Sequence, residues 1–114
     1  MPFAALAFWQ ECFKLVIRGY IGIYTARLEM RFVSSLKEKR SLIRPVTERL
    51  KARFPVSVAR LDGLDAHDWE LIGVVSIHHD AIWLEELLQN VSHFVAGNGE
   101  YSVVDESFEV MELE

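Results

Sequence analysis

Lysine and arginine are absent from residues 61–114: none follows Arg60 in a sequence of 114 residues. Cysteine is almost absent as well. Cys12 stands alone, which excludes an intrachain disulfide and a cysteine-cluster metal site. A lone cysteine reads as a small core or semi-exposed residue. Three prolines and six glycines leave no low-complexity linker. At this length the chain reads as one domain that buries roughly two thirds of its surface, so no metal or disulfide staple is required. No apolar run is long enough to cross a bilayer. The opening MPFAALAFWQECFKLVIR is broken by Gln10, Glu11 and Lys14 and has no basic leading region, which argues against a spanning helix and a signal peptide. It also lacks the basic face of a membrane-surface helix. Residues 1–18 are therefore expected to be an N-terminal extension: a short helix or loose arm, or an appendage from an upstream start codon. Residues 19–114 are expected to form a single domain, cytoplasmic and without a membrane partner.

The cations that are present are concentrated. Residues 31–60 hold Arg31, Lys37, Lys39, Arg40, Arg44, Arg49, Lys51, Arg53 and Arg60 against Glu38 and Glu48, a net of +7. Residues 61–114 carry thirteen acids and a net of −13. The overall charge of −5 hides this segregation. An acidic chain does not wrap itself in nucleic acid, but a basic segment can steer a polyanion to one face.

Hydrophobic periodicity gives the elements. Residues 20–32 alternate, with Tyr24, Ala26, Leu28, Met30 and Phe32 on one side and Thr25, Arg27, Glu29 and Arg31 on the other, a strand with one buried face. Gly19 and Gly22 at its start allow a bulge or edge bend. Ser35 followed by Glu38 forms a capping box, which predicts a helix from Leu36 to about Arg53. Its apolar arc is Leu36, Leu42, Ile43, Val46, Leu50 and Phe54. Pro45 lies opposite that arc and should bend the helix without ending it. Pro55 stops it. Residues 56–62 and 69–77 read as antiparallel strands, the second apolar enough to lie inside a sheet. Asp80 caps a helix over residues 81–96, and Gly97-Asn98-Gly99 supplies residues that tolerate positive φ at its end. Residues 101–113 form a last strand. The order is βαββαβ, which predicts an α+β ferredoxin-like two-layer sandwich: a four-stranded antiparallel sheet with two helices on one face.

On the first helix Lys37, Arg40, Arg44 and Lys51 fall within about 60° of one another and form a stripe roughly 20 Å long. Either they contact nucleic-acid phosphates or they are a solvated flank. Lys39 falls inside the apolar arc and must snorkel or find a carboxylate, carbonyl or ligand near the Ser34–Lys39 corner, where Ser35 also sits. The free amides there favour an anion but are no P-loop, since the glycines of GxxxxGK[ST] are missing.

Signals for catalysis are weak. His78, His79 and Asp80 adjoin at a strand end, yet no HExxH spacing supports a metal site, and exposed histidines explain them as well. His67 with Asp68, Asp65 and His93 makes no triad, because adjacency alone is not geometry. Ser34, Ser35 and Ser41 have no histidine nearby in sequence. No catalytic residue, metal ligand or cofactor is expected. RNA-recognition domains share the βαββαβ order, but the wet face of the first strand has no aromatic and a KH-type GxxG is missing. RNA contact would therefore be cationic. The open sheet face, through Ser57, Ala59 and Leu61 with Val103, Met111 and Leu113, offers the alternative of a homo-oligomer or a protein partner.

The segments SLKEKRSLIRPVTERLKARFPVSVARLD (35–62) and WELIGVVSIHHD (69–80) resemble the YlxP-like family of small uncharacterised bacterial proteins, over about residues 20–112. The resemblance implies the ferredoxin-like fold and no established activity. In some bacteria the genes of such proteins lie among translation and ribosome-maturation genes, which implies an RNA or ribosome partner. The shared positions are Ser35, Leu36, Lys37, Glu38, Lys39 and Arg40, with Val56, Ser57, Val58 and Ala59. Pro45, Arg60 and His78-His79-Asp80 depart from the family pattern, as do the first eighteen residues.

Overall fold

The computed structural model describes residues 18–113. Of the expected extension over residues 1–18, all but Arg18 lie outside the described residues, as does Cys12. The elements are β1 (Tyr20–Glu29), α1 (Leu36–Arg53), β2 (Ser57–Asp62), β3 (Trp69–His78), α2 (Ala81–Gly97) and β4 (Ser102–Glu112). The sheet is antiparallel with the order β2-β3-β1-β4, so the expected ferredoxin-like arrangement is the observed one. β3 and β1 are interior, as the apolar run of β3 requires. β2 and β4 are the edges.

Even-numbered residues of β1 face the helices. Tyr24, Ala26 and Leu28 are buried against Ile72 and Val74 of β3 and against Ile43, Val46 and Leu50 of α1 and Leu84, Leu88 and Val91 of α2. Gly22 belongs to this row and does not make a bulge. A Cβ there would meet Leu84 and Leu88 at 3.3–3.4 Å, so its bareness lets α2 settle on the sheet. The register shift comes later, between Arg27 and Leu28, where the extra residue is Val104 of β4.

β1 ends at Glu29, short of the expected Phe32. The chain turns at Arg31–Phe32, closed by the Val33 amide donating to the Met30 carbonyl at 3.1 Å. Phe32 is thereby thrown outward, 60% exposed, and Val33 takes the core position expected of it. α1 runs unbroken through Pro45, whose ring faces solvent on the side away from the core. Its start is capped twice. Ser35 Oγ accepts from the Glu38 amide at 3.1 Å, and the Glu38 carboxylate accepts from the Ser34 amide at 3.3 Å, one residue earlier than a standard box. Asp80 caps α2 by accepting from the Ile82 amide at 2.9 Å. At the far end of α2 no residue uses positive φ. Asn98 sits at φ −125 and its side-chain amide donates to the Phe94 carbonyl at 2.9 Å.

Two phenols, the buried Tyr24 and the half-buried Tyr101, tie β4 and α2 into the layer. Tyr24 donates to the Glu106 carboxylate, which also accepts from Ser92 Oγ at 2.7 Å. Tyr101 donates to the Val95 carbonyl at 2.6 Å. Burial raises both above the ordinary 10.0, helped at Tyr24 by the Glu106 carboxylate, and Tyr101 reaches about 12. An unfolded chain therefore loses these protons first. Stability from them is full below pH 10 and is lost as pH climbs through 10 toward 12. Urea midpoints should hold level to about pH 9 and fall beyond about pH 10. Tyr101→Phe should lessen that fall and cost about 1 kcal/mol at neutral pH. An alkaline fall of equal size in both proteins would refute this assignment.

Candidate functional site

α1 lies over the β2 edge of the sheet and runs antiparallel to that strand. Lys39, near the start of α1, reaches the carbonyls just beyond β2, while Lys51, near its end, lines a groove with Ser57. Between helix and edge strand opens a cleft of about 450 Å³. Its helix wall carries Arg40, Arg44 and Lys51 with Thr47 and one acid, Glu48, among them, and its strand wall carries Val58, Ala59 and Arg60, with Ile43 buried beneath the helix. Arg40, Arg44 and Lys51 belong to the stripe expected from the sequence. Lys37, the fourth member, is exposed but does not line the cleft. Arg60 was not part of the expected stripe, because it comes from the next element. Its sequence signals were its place as the last cation of the basic block and its departure from the YlxP-like pattern.

The row from Arg40 to Lys51 extends roughly 16 Å at 1.5 Å per residue. Among the described residues, Arg40 and Arg44 have no carboxylate within ion-pair distance. Lys51 has only Glu48, at 3.7 Å and largely exposed, a loose pair that contributes little. Arg60 is held differently. Its Nε and an Nη donate to Glu70 Oε1 at 2.9 and 2.5 Å, and these bonds raise its pKa further.

Glu70 is fully buried, and the same Oε1 meets Lys39 Nζ at 3.2 Å. Lys39 does not snorkel. It is fully buried and donates to the carbonyls of Gly63, Ala66 and Trp69 at 2.7, 2.5 and 3.2 Å. Of the two readings the sequence left for this lysine, pairing is the one observed. The lysine gathers the β2–β3 loop around itself. Gly63, at φ +74, makes the tight turn that aims its carbonyl inward, and a Cβ there would lie 2.8 Å from the Trp69 ring. Glu70 Oε2 is buried with no partner among the described residues. The network Lys39–Glu70–Arg60 thus joins the start of α1, the loop and the cleft wall. Ser35 caps the helix and makes no further contact of this kind.

The histidines do not converge on a catalytic arrangement. His67 Nδ1 lies 2.9 Å from the Val33 carbonyl. His78 Nδ1 accepts from the Asp80 amide at 3.1 Å, and its ring stacks between His79 and Trp83 at centroid distances of 4.4 and 3.9 Å. His93 is exposed on α2. Among the described residues no three His, Cys, Asp or Glu side chains are grouped to hold a metal ion. No helix among them is long and apolar enough to cross a membrane.

The open face of the sheet is more apolar than its alternation suggested. Ile21 and Ile23 precede Thr25, Arg27 and Glu29 on that face, opposite Ile77 and Val75 of β3. Ile77 is 65% exposed. Met111 joins them by pairing with Ile21, whereas Val103 packs against the core and not on this face. Arg27 lies over the Trp69 ring, 4.1 Å from its centroid.

A model of a family described as a protein of unknown function, DUF503, matches residues 21–108. No curated protein matches the chain.

Proposed function

We propose, for a chain that belongs to the DUF503 family of proteins of unknown function, that the cleft between α1 and β2 binds the phosphate backbone of RNA. The same reading takes the chain as one of the YlxP-like members, on SLKEKR and VSVA. The observation that carries it is the convergence of Arg40, Arg44, Lys51 and Arg60 on one cleft. A row of cations along a cleft suits a polymer of regularly spaced anions, and two guanidinium groups without carboxylate partners need shed none to bind it. The acids after residue 60 keep such a ligand to this one face. No aromatic ring lines the cleft, so its contacts are those of the cations with phosphate and not stacking on bases. The role is that of a binding protein, cytoplasmic and associated with RNA or the ribosome. The alternative is a homo-oligomer or protein-binding module using the open sheet face, where Ile21, Ile23, Val75, Ile77 and Met111 cluster.

The test is fluorescence anisotropy with a labelled RNA oligonucleotide at stepped salt. Four phosphate contacts predict a log–log slope of roughly −3 on a single strand, at about 0.7 per contact. Absence of binding at low salt, or binding indifferent to salt, contradicts the proposal.

A further inference from the structure

The cleft does not end at Lys51. That residue also lines a second groove, of about 780 Å³, which turns round the corner of the sheet where α1 passes into β2. The groove is walled by Phe54, Pro55, Val56, Val75, Ile77 and Trp83, and its character changes from cationic to apolar within one residue's reach. Val75 and Ile77 are both exposed, and Ile77 is among the most exposed large apolar side chains described. One side is a prearranged set of flat rings. His78 and Trp83 are stacked at 3.9 Å with planes 15° apart, and the bond from the Asp80 amide to His78 Nδ1 fixes the imidazole's orientation.

Resting on the phosphate reading above, we propose that the ligand is single-stranded RNA, and that the nucleotide beyond Lys51 is held by its base in this groove. A phosphodiester chain leaving the cations at Lys51 meets mostly apolar walls without a further cation and a face of stacked rings, which suit a flat, uncharged group. A nucleobase is both. In a duplex the bases are paired and turned inward, so a duplex can offer only phosphates to the cleft and gains nothing from the groove. Because the rings are already ordered, a base that enters gives up little side-chain freedom of the protein.

The test compares a 12-residue oligouridine with an RNA duplex of the same length by anisotropy at fixed salt. The single strand should bind at least about tenfold more tightly, the worth of one well-placed base. Ile77→Asn, at an exposed and uncharged position, should remove most of that preference while leaving duplex affinity unchanged. Trp83→Leu should do the same, and Ile77→Asn keeps the test decisive if the tryptophan variant does not fold. Equal affinity for strand and duplex, or a preference untouched by Ile77→Asn, overturns the groove while leaving the cleft standing. Binding of neither RNA overturns both. Tighter binding of a glutamate-rich peptide carrying aromatic residues than of oligouridine also overturns it.

Discussion

Replacing Lys39 by methionine lowers the melting temperature by on the order of 15 °C, the largest stability effect expected from one substitution in this chain. The side chain is fully buried and touches four oxygens: the carbonyls of Gly63, Ala66 and Trp69, and Glu70 Oε1. Methionine fills a similar volume, so the loss is electrostatic and not a cavity. Three carbonyls lose the ammonium donor, that of Gly63 keeping only the Ala66 amide, and Glu70 keeps only Arg60. Breaking one partner out of a buried pair costs about 3–5 kcal/mol, a large part of the 5–15 kcal/mol that holds a domain folded. Removing both charges is gentler than removing one, so Lys39→Met with Glu70→Leu should recover part of the loss. Thermal and urea unfolding of the single and double variants measure this coupling. A fall of less than about 4 °C for Lys39→Met would mean the network is incidental.

Reversing Arg40 and Arg44 to glutamate weakens RNA binding by at least about a hundredfold. Each guanidinium that loses a charged hydrogen bond forfeits about 1.5–3 kcal/mol, and the new carboxylates repel the backbone besides. The salt slope should fall from roughly −3 toward −1, because Lys51 and Arg60 remain. Both side chains are exposed and neither belongs to the Lys39 network, so the far-ultraviolet dichroism and melting temperature should change little. The same reversal at Lys37, which does not line the cleft, should cost far less. If Lys37→Glu weakens binding as much as the double reversal, the ligand follows the outer flank of the helix and not the cleft.

The six-residue stretch SLKEKR shows how much of this was legible in advance. Ser35 and Glu38 announced the helix start, because capping is local and its partners lie within four residues. Helical spacing alone put Arg40 on one flank with Arg44 and Lys51, the flank that lines the cleft. Lys39 was flagged as anomalous by its position in the apolar arc, but its partners are 24 to 31 residues away in a loop and a strand. No periodicity reaches that far. Arg60 escaped for the same reason: its membership of the cleft depends on where α1 lies relative to β2. Strand alternation predicted Tyr24, Ala26, Leu28 and Met30 inward, then failed at Phe32, where a turn resets the phase and Val33 goes in instead. The Gly97-Asn98-Gly99 ending misled because an asparagine side chain closes α2 without any left-handed residue. The groove beside Trp83 was hidden because it is assembled from the end of α1, the start of β2, β3 and α2 together.

The measurement that bears most directly on the cleft is an amide chemical-shift map during titration of the full chain with oligouridine. The account predicts that the largest changes fall on residues 40–51 of α1 and 57–60 of β2, with smaller ones continuing to residues 75–78 and 83. It also predicts that all of them fade together as salt is raised. Changes centred on β4 or on the outer face of α2, or no change at any RNA concentration, would contradict it.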